Sequence, residues 1–320
     1  MQAAVVTRFG SRWSIDVRDV PRPNAAAGEV LVRVRAATVN RTDCGQLLHP
    51  LLERLIVSRG NPPRKILGMD FAGEIQDVGN RVAAFKVGDR VFGMCPFSRN
   101  GAQADYICMP ENGPVAVMPA ATAFDQAPVC EGAYYANATV SAFGLRPGHT
   151  ILIYGASGAI GSSAVQLAKY AGAEVTAVVA ARHLDLARSL GADHVIDYAT
   201  SEFQQLGRTF DFVLDAVGKM TVPQWRRLLN GSGRFAVTDL GPWGQEAPFL
   251  LWSAVARNGR VTVPLPKRGS APEFVNFLKE RMEAGQFRAV VDRRYPLGAI
   301  AEAYRYVQTG QKAGIVVIDV

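Results

Sequence analysis

Apolar and polar residues alternate over Glu29–Ala36, and the same period of two returns over Phe71–Val78, Asp89–Met94 and Ala104–Met109. Such alternation belongs to half-buried strands. Gly and Pro separate the runs, as at Pro21-Arg22-Pro23 and Val87-Gly88-Asp89. Short strands spaced by turn residues predict a small twisted barrel. One helical stretch, about Gln46 to Ser58, interrupts it. The opening Met1-Gln2-Ala3-Ala4-Val5-Val6 reads as a first strand, with neither the basic region nor the apolar stretch of a signal peptide.

From Phe124 the rhythm changes to strands alternating with helices. Apolar strands are predicted at His149–Tyr154, Glu174–Val179, His194–Tyr198, Phe210–Asp215, Gly233–Thr238 and Val261–Val263. Helices fall at Ile160–Ala171 and Leu184–Leu190, each stopped by a Gly. Near-continuous apolar strands joined by helices mean a parallel sheet covered on both faces. After Pro266 a helix (Ala271–Ala284), a strand (Phe287–Val291), a helix (Leu297–Gln308) and a strand (Gly314–Val320) follow. This tail is too short for a third core, so it is expected to return to the first domain. The predicted organisation is α/β: a β-rich domain over 1–123, a domain with a six-stranded parallel sheet over 124–265, and the return over 266–320.

A length of 320 residues suits two domains, and 48% hydrophobic with 20% charged residues excludes a disordered chain. No apolar run reaches the ~18 residues of a membrane span. The net charge of +7 favours anionic ligands. Its bases are scattered over Arg12–Arg22, Arg33–Arg41 and Arg288–Arg294, with no basic tract, so nucleic acid is not the expected partner. Cys44, Cys95, Cys108 and Cys130 form no C-x-x-C pair and no disulfide framework, which fits a reducing compartment, the cytoplasm.

The strand ending at Tyr154 runs into Gly155-Ala156-Ser157-Gly158-Ala159-Ile160-Gly161, which opens a helix. Small residues here let backbone N–H groups approach a pyrophosphate and let the helix pack close to the strand. Placed between a buried strand and a helix, the pattern predicts a dinucleotide site. The next strand ends at Val179-Ala180-Ala181-Arg182-His183, without the acid that binds the ribose hydroxyls of NAD. Arg182 is either a solvated loop base or a partner for a 2′-phosphate; NADPH is the expected cofactor.

With these elements placed, the chain resembles a medium-chain dehydrogenase/reductase over essentially its whole length. The resemblance is carried by residues 36–43, 67–74, 85–93, 190–198 and 310–317 and by the glycine loop, and it is strongest toward the zinc-free quinone oxidoreductase (zeta-crystallin-like) branch. It implies a GroES-like catalytic domain built from both chain ends, a Rossmann domain between them, NADPH, a small-molecule substrate and a homodimer. Zinc members of the family carry Cys at the position of Asn40, His-Glu at Met69-Asp70, and a third ligand near Cys130. Asn and Met do not supply the N, S or carboxylate ligands of a catalytic zinc, and Cys95 and Cys108 alone cannot build the structural site, so no metal is expected.

By resemblance, Asn40 lies beside the nicotinamide and Thr42 falls at a proton-relay hydroxyl. Ala156, Ser157, Gly158, Ala159 and Ile160 cradle the pyrophosphate. Tyr198 meets the adenine ribose phosphate, and Ala216, Val217 and Gly218 pass the nicotinamide ribose. Leu240 lines the cleft, and Lys312 is a cofactor-facing base or a surface lysine. Substrate contacts are implied for Leu47–Ile66 and Pro242–Ser253. Arg41 replaces the branch's usual Pro; it faces phosphates, an anionic substrate or solvent. His49 is given little weight as an acid. Cys44–Leu67 contains no Tyr, which argues against an enoyl-thioester reductase using a Tyr acid there. The expected activity is NADPH-dependent, zinc-independent reduction of quinones or similar electrophiles. The alternatives are an enone or alkenal double-bond reductase, with a proton from solvent or Tyr134, and a non-catalytic crystallin- or RNA-binding-like protein.

Overall fold

The computed structural model describes residues 1–49, 65–96, 101–200, 203, 205–238, 260–267 and 269–320. The chain forms two units, Met1–Glu131 with Gly269–Val320, and Gly132–Arg268. The boundaries therefore fall at 131/132 and 268/269, where the sequence pattern put them at 123/124 and 265/266. The turn at Phe124–Gln126 packs on the first unit's sheet, and the Glu131 N–H is bonded to Asp70.

In the first unit, β1 (Gln2–Arg8) and β2 (Ser14–Asp19) make an antiparallel ribbon. β3 (Glu29–Val39), α1 (Arg41–Leu48), β4 (Asp70–Val78), β5 (Arg90–Met94), β6 (Tyr106–Pro110) and β7 (Val115–Val117) follow. The helix expected over about Gln46–Ser58 instead starts at Arg41. Asn40, with extended backbone (φ −106°, ψ 166°), is its N-cap, and the Asp43 carboxylate accepts the Asn40 N–H at 2.7 Å. Half of a capping box thus fixes the start; residues 50–64 lie outside the described part.

The second unit contains α2 (Cys130–Phe143, beginning at the boundary), β8 (Thr150–Tyr154), α3 (Ala159–Tyr170), β9 (Glu174–Val179), α4 (Leu184–Ser189), β10 (His194–Asp197), β11 (Phe210–Asp215), α5 (Val222–Leu228), β12 (Leu229–Val237) and β13 (Val261–Thr262). All six predicted strands appear, in a parallel sheet ordered β10-β9-β8-β11-β12-β13. The middles of β8 (Ile151–Ile153) and β11 (Val213 and Leu214) are fully buried, as their unbroken apolar runs require.

The chain then returns to the first unit with α6 (Ala271–Glu283), β14 (Val291–Pro296), α7 (Ile300–Gln308) and β15 (Ile315–Asp319). β14 lies later than the predicted Phe287–Val291, because the N–H groups of Gln286 and Phe287 bond back to the Arg281 carbonyl and close α6. β3 is long enough to hold two partners along one side. Glu29–Arg33 pairs with β6 and Ala36–Val39 with β15, while β4 pairs along its other side. A seven-stranded sheet results, ordered β14-β15-β3-β4-β5-β7 with β6 beside β3. Phe71, Phe92 and Ile75 of the sheet and Tyr304 of α7 are among the largest fully buried side chains. Among the described residues, no helix is long and apolar enough to cross a membrane.

Candidate active site

The second unit carries the glycine loop. The Gly155 and Ala156 N–H groups both bond to the Val178 carbonyl, tying the loop to β9. Gly158 is the N-cap of α3 in extended conformation (φ −73°, ψ 175°). A Cβ added there would meet only the Gly155 carbonyl oxygen, at 3.7 Å, and otherwise open space. A Cβ on Gly161 would lie 2.2 Å from that same oxygen and 2.8 Å from Ala156 Cα. The loop is thus closed beneath and open above, with first-turn N–H groups of α3 that have no partner inside the helix. This cradle fits a pyrophosphate by shape and by the helix's positive end. Ser157, Ala159 and Ile160 are partly exposed around it, whereas Ala156 is fully buried and contributes backbone only.

Asp215, at the end of β11, shapes the neighbouring turn. Its carboxylate accepts N–H groups from Val217 (3.0 Å), Gly218 (2.9 Å) and Met220 (2.6 Å). Val217 packs directly over Gly155, so the glycine loop and Ala216–Gly218 adjoin. Arg182 is exposed in a turn after β9, with its Nε 3.1 Å from His183 Nε2. Tyr198 is 49% exposed, and its N–H donates to the Val179 carbonyl, which brings it to the same end of β9. Leu240 and most of the two implied substrate loops lie outside the described residues.

The first unit holds a buried group of acids. Asp70, 1% exposed, accepts Asn40 Nδ2 and Thr38 Oγ1 on one oxygen (3.0 and 3.3 Å) and the Glu131 N–H on the other (2.8 Å). Asp43 accepts backbone N–H groups from Asn40 and Gly68. The Thr42 hydroxyl donates to Glu131 Oε1. Asn40 Oδ1 faces the Asp43 N–H but makes no hydrogen bond of full geometry. Behind them, Tyr304 OH donates to Gln103 Oε1, and Gln103 Nε2 donates to the Thr38 carbonyl, so α7 braces the end of β3.

Burial dominates the acid–base behaviour. It pushes Glu131 up to about 8, helped by the charge of Asp70, and Asp43 up to about 7. Asp70 rises to about 6 against the pull of its donors. Burial also brings Lys312 down to about 8, with Glu131 among the charges resisting the shift; its Nζ donates to the Gly314 carbonyl. Lys312 therefore belongs electrostatically to this acid group. Arg41 is exposed and comes near Gly310, and His49 is exposed at the end of α1. Tyr134, considered above as a proton source, is buried and donates to the Lys267 carbonyl.

Groups raised in the folded state hold their protons more tightly folded than unfolded. Their stabilisation is complete below the ordinary values of 3.8 and 4.5 and is lost as pH rises through about 6 to 8. We therefore expect the melting temperature to fall from about pH 5 to about pH 8, and Glu131→Gln to flatten that fall. A pH series of thermal melts on both proteins checks it; parallel curves would exclude Glu131 as a contributor.

Residues 26–120 match the alcohol dehydrogenase GroES-like domain, and residues 190–318 match the zinc-binding dehydrogenase family. A chloroplastic quinone-oxidoreductase homolog from Spinacia oleracea is 31% identical over 317 residues, spanning 94% of this chain and 92% of its own. The chain belongs to the medium-chain dehydrogenase/reductase superfamily, in its quinone-oxidoreductase-like branch. This medium-chain oxidoreductase is also 30% identical to the trans-enoyl reductase pgmF of Aspergillus terreus, over 93% of its length and 88% of the relative's. Its fold superimposes on the quinone oxidoreductase from Coxiella burnetii with a TM-score of 0.84 at 23% identity, over 100% of this chain and 99% of that one. It is an oxidoreductase, and the family's cofactors are pyridine nucleotides.

The zinc that the second family description names does not fit the residues present. Asn40 turns an amide donor toward Asp70, and Met69 is a fully buried thioether. Among the described residues, no three His, Cys, Asp or Glu are placed to hold a metal ion. Sequence reasoning had singled out Asn40, Thr42 and Lys312 but missed Glu131 and Asp43. For Asp43 the available signal was an Asn followed by an Asp three residues later, an N-cap pattern.

Proposed function

We propose that this oxidoreductase is NADPH-dependent and zinc-independent and reduces an activated electrophile, either a quinone or an alkene conjugated to a carbonyl. The observation that carries the reading is the open cradle at Gly158, together with Arg182 in the turn after β9, where Val179–His183 holds no acid, and Tyr198 bonded back to the Val179 carbonyl. When bound, the nicotinamide supplies a hydride. The protein's part is to bind with the α3 N-terminus and Ala216–Gly218, to select the 2′-phosphate with Arg182, and to orient with Asn40. Lys312, held in the acid group, acts on those acids and not on the cofactor. The alkene reading is favoured by one observation, the buried Glu131 joined to the Thr42 hydroxyl.

NADPH and NADH titrations by fluorescence, with NADPH oxidation on quinones, enones and aldehydes, test this reading. A charge-assisted contact is worth ~1.5–3 kcal/mol before solvent screening, so Arg182→Ala should cost roughly tenfold in NADPH affinity and leave NADH unchanged. Equal affinities in the wild type would overturn the cofactor assignment.

A further inference from the structure

The three buried acids are not equivalently held. Asp43 accepts two backbone N–H groups, and Asp70 accepts one together with Asn40 and Thr38. Among the described residues, the Glu131 carboxyl has one hydrogen-bond partner, the hydroxyl of Thr42. Fixed donors stabilise a carboxylate; a carboxyl buried with almost none keeps its proton. Glu131 is 5% exposed and Thr42 half-buried; when the protonated Glu131 oxygen is the donor in this same contact, the hydroxyl accepts and becomes the way out for that proton. A hydroxyl both donates and accepts, and can take one proton while giving another.

We propose that Glu131 is the proton source of the reduction, acting through Thr42, and that the substrate is an alkene conjugated to a carbonyl. This rests on the NADPH-reductase reading above. A reduced quinone carries its protons on oxygen, where water supplies them; a saturated carbon beside a carbonyl gains a C–H bond that a held acid can form. One alkene carbon receives a hydride with its electron pair, the reductant being reduced nicotinamide, which is oxidised. The other carbon, or the enolate oxygen, takes the proton as the Thr42 O–H bond breaks and the Glu131 O–H bond breaks toward the Thr42 oxygen. Glu131 is left as a carboxylate, and a proton from water restores it.

The charges around Glu131 suit both halves of this cycle. Asp70 on β4 and Asp43 on α1 favour the protonated form, while Lys312, ahead of β15, favours the carboxylate. Cys130 is buried beside it in sequence and holds its own proton, burial raising the thiol well above its usual range. Arg41 acts on Lys312 and Cys44.

The test has one arm on the apo-protein and one on turnover. Infrared difference spectra of the apo-protein across a range centred on about 8 should show protonated-carboxyl bands that titrate, of which the one lost at the highest pH disappears in Glu131→Gln while those of Asp43 and Asp70 remain. With methyl vinyl ketone, Glu131→Gln should lower kcat on the order of 100-fold with little change in KM, and abolish the wild-type fall of kcat at high pH. Thr42→Val, which leaves Glu131 in place, should do the same, and Thr42→Ser should restore the rate and the pH profile. A Glu131→Gln protein with unchanged kcat and pH profile overturns the proposal, as does survival of the carboxyl band that titrates at the highest pH, about 8. Wild type that oxidises NADPH with menadione but not with methyl vinyl ketone also overturns it, leaving the reductase reading intact. Oxidation with neither acceptor overturns both.

Discussion

Gly158→Val is expected to fold and to bind neither NADPH nor NADH. The backbone at Gly158 is extended, a conformation in which a β-branched residue is at ease. Its new Cβ would find no atom closer than 3.7 Å, so the added methyls project into the open side of the cradle. They displace the phosphate oxygens that must come within hydrogen-bond reach of the first-turn N–H groups. Loss of Gly as N-cap costs about 1 kcal/mol at most. Thermal melting with and without nucleotide reads both effects. Wild type should gain on the order of 2.7 kcal/mol at a hundredfold excess over Kd, and the variant nothing. A Gly158→Val protein that keeps the shift would place the dinucleotide elsewhere.

Gly161→Val, three residues along the same helix, should fail in a different way. Its Cβ would stand 2.2 Å from the Gly155 carbonyl oxygen and 2.9 Å from that carbonyl carbon. These atoms belong to a backbone tied to β9 through the Val178 carbonyl, so they cannot turn aside as a side chain would. The helix must move off the sheet. Overpacking of this kind costs on the order of 3 kcal/mol, and replacing Gly inside a helix returns less than about 1 kcal/mol of propensity. A melting temperature lower by roughly 4–12 °C follows for a chain of this kind, with binding weakened as well. The alanine variant separates the causes, since it adds the clashing atom alone. If Gly161→Ala melts with the wild type, the close approach is not what fixes this glycine.

The contrast between these glycines shows what a sequence can carry. The pattern Gly155-x-x-Gly158-x-x-Gly161 announced a tight turn and a close helix approach, and both are present. The six strands of the second unit were equally legible, because a strand buried on both faces is written as a continuous apolar run. The acid group of the first unit was not. Asp43, Asp70 and Glu131 are far apart in the chain and meet only because β3 and β4 pair and α1 follows directly from β3. Burial, which turns these ordinary carboxyls into proton-holding groups, is a property of that meeting and of no single position. The start of α1 was readable in Asn40 and Asp43; beyond His49 the expected helical stretch lies outside the described residues. The displaced β14 has a local origin: Phe287 is apolar and buried, yet its N–H is used to end a helix.

The double partnership of β3 also sets an order in time. A ribosome delivers β3 early and β15 last, with the whole parallel-sheet unit emerging in between. While synthesis continues, Ala36 and Ala37 have their β4 neighbours, but the edge of Ala36–Val39 that β15 will cover is open, the kind of edge that recruits foreign strands. Lys312 and Tyr304 arrive with the same closing segment. The cation that offsets the buried acids and the tyrosine that braces β3 through Gln103 are therefore missing until that segment has been made. A chain stalled before β15 would present a complete parallel-sheet unit and an unfinished seven-stranded sheet, the state in which the open edge of β3 is most exposed to misassociation.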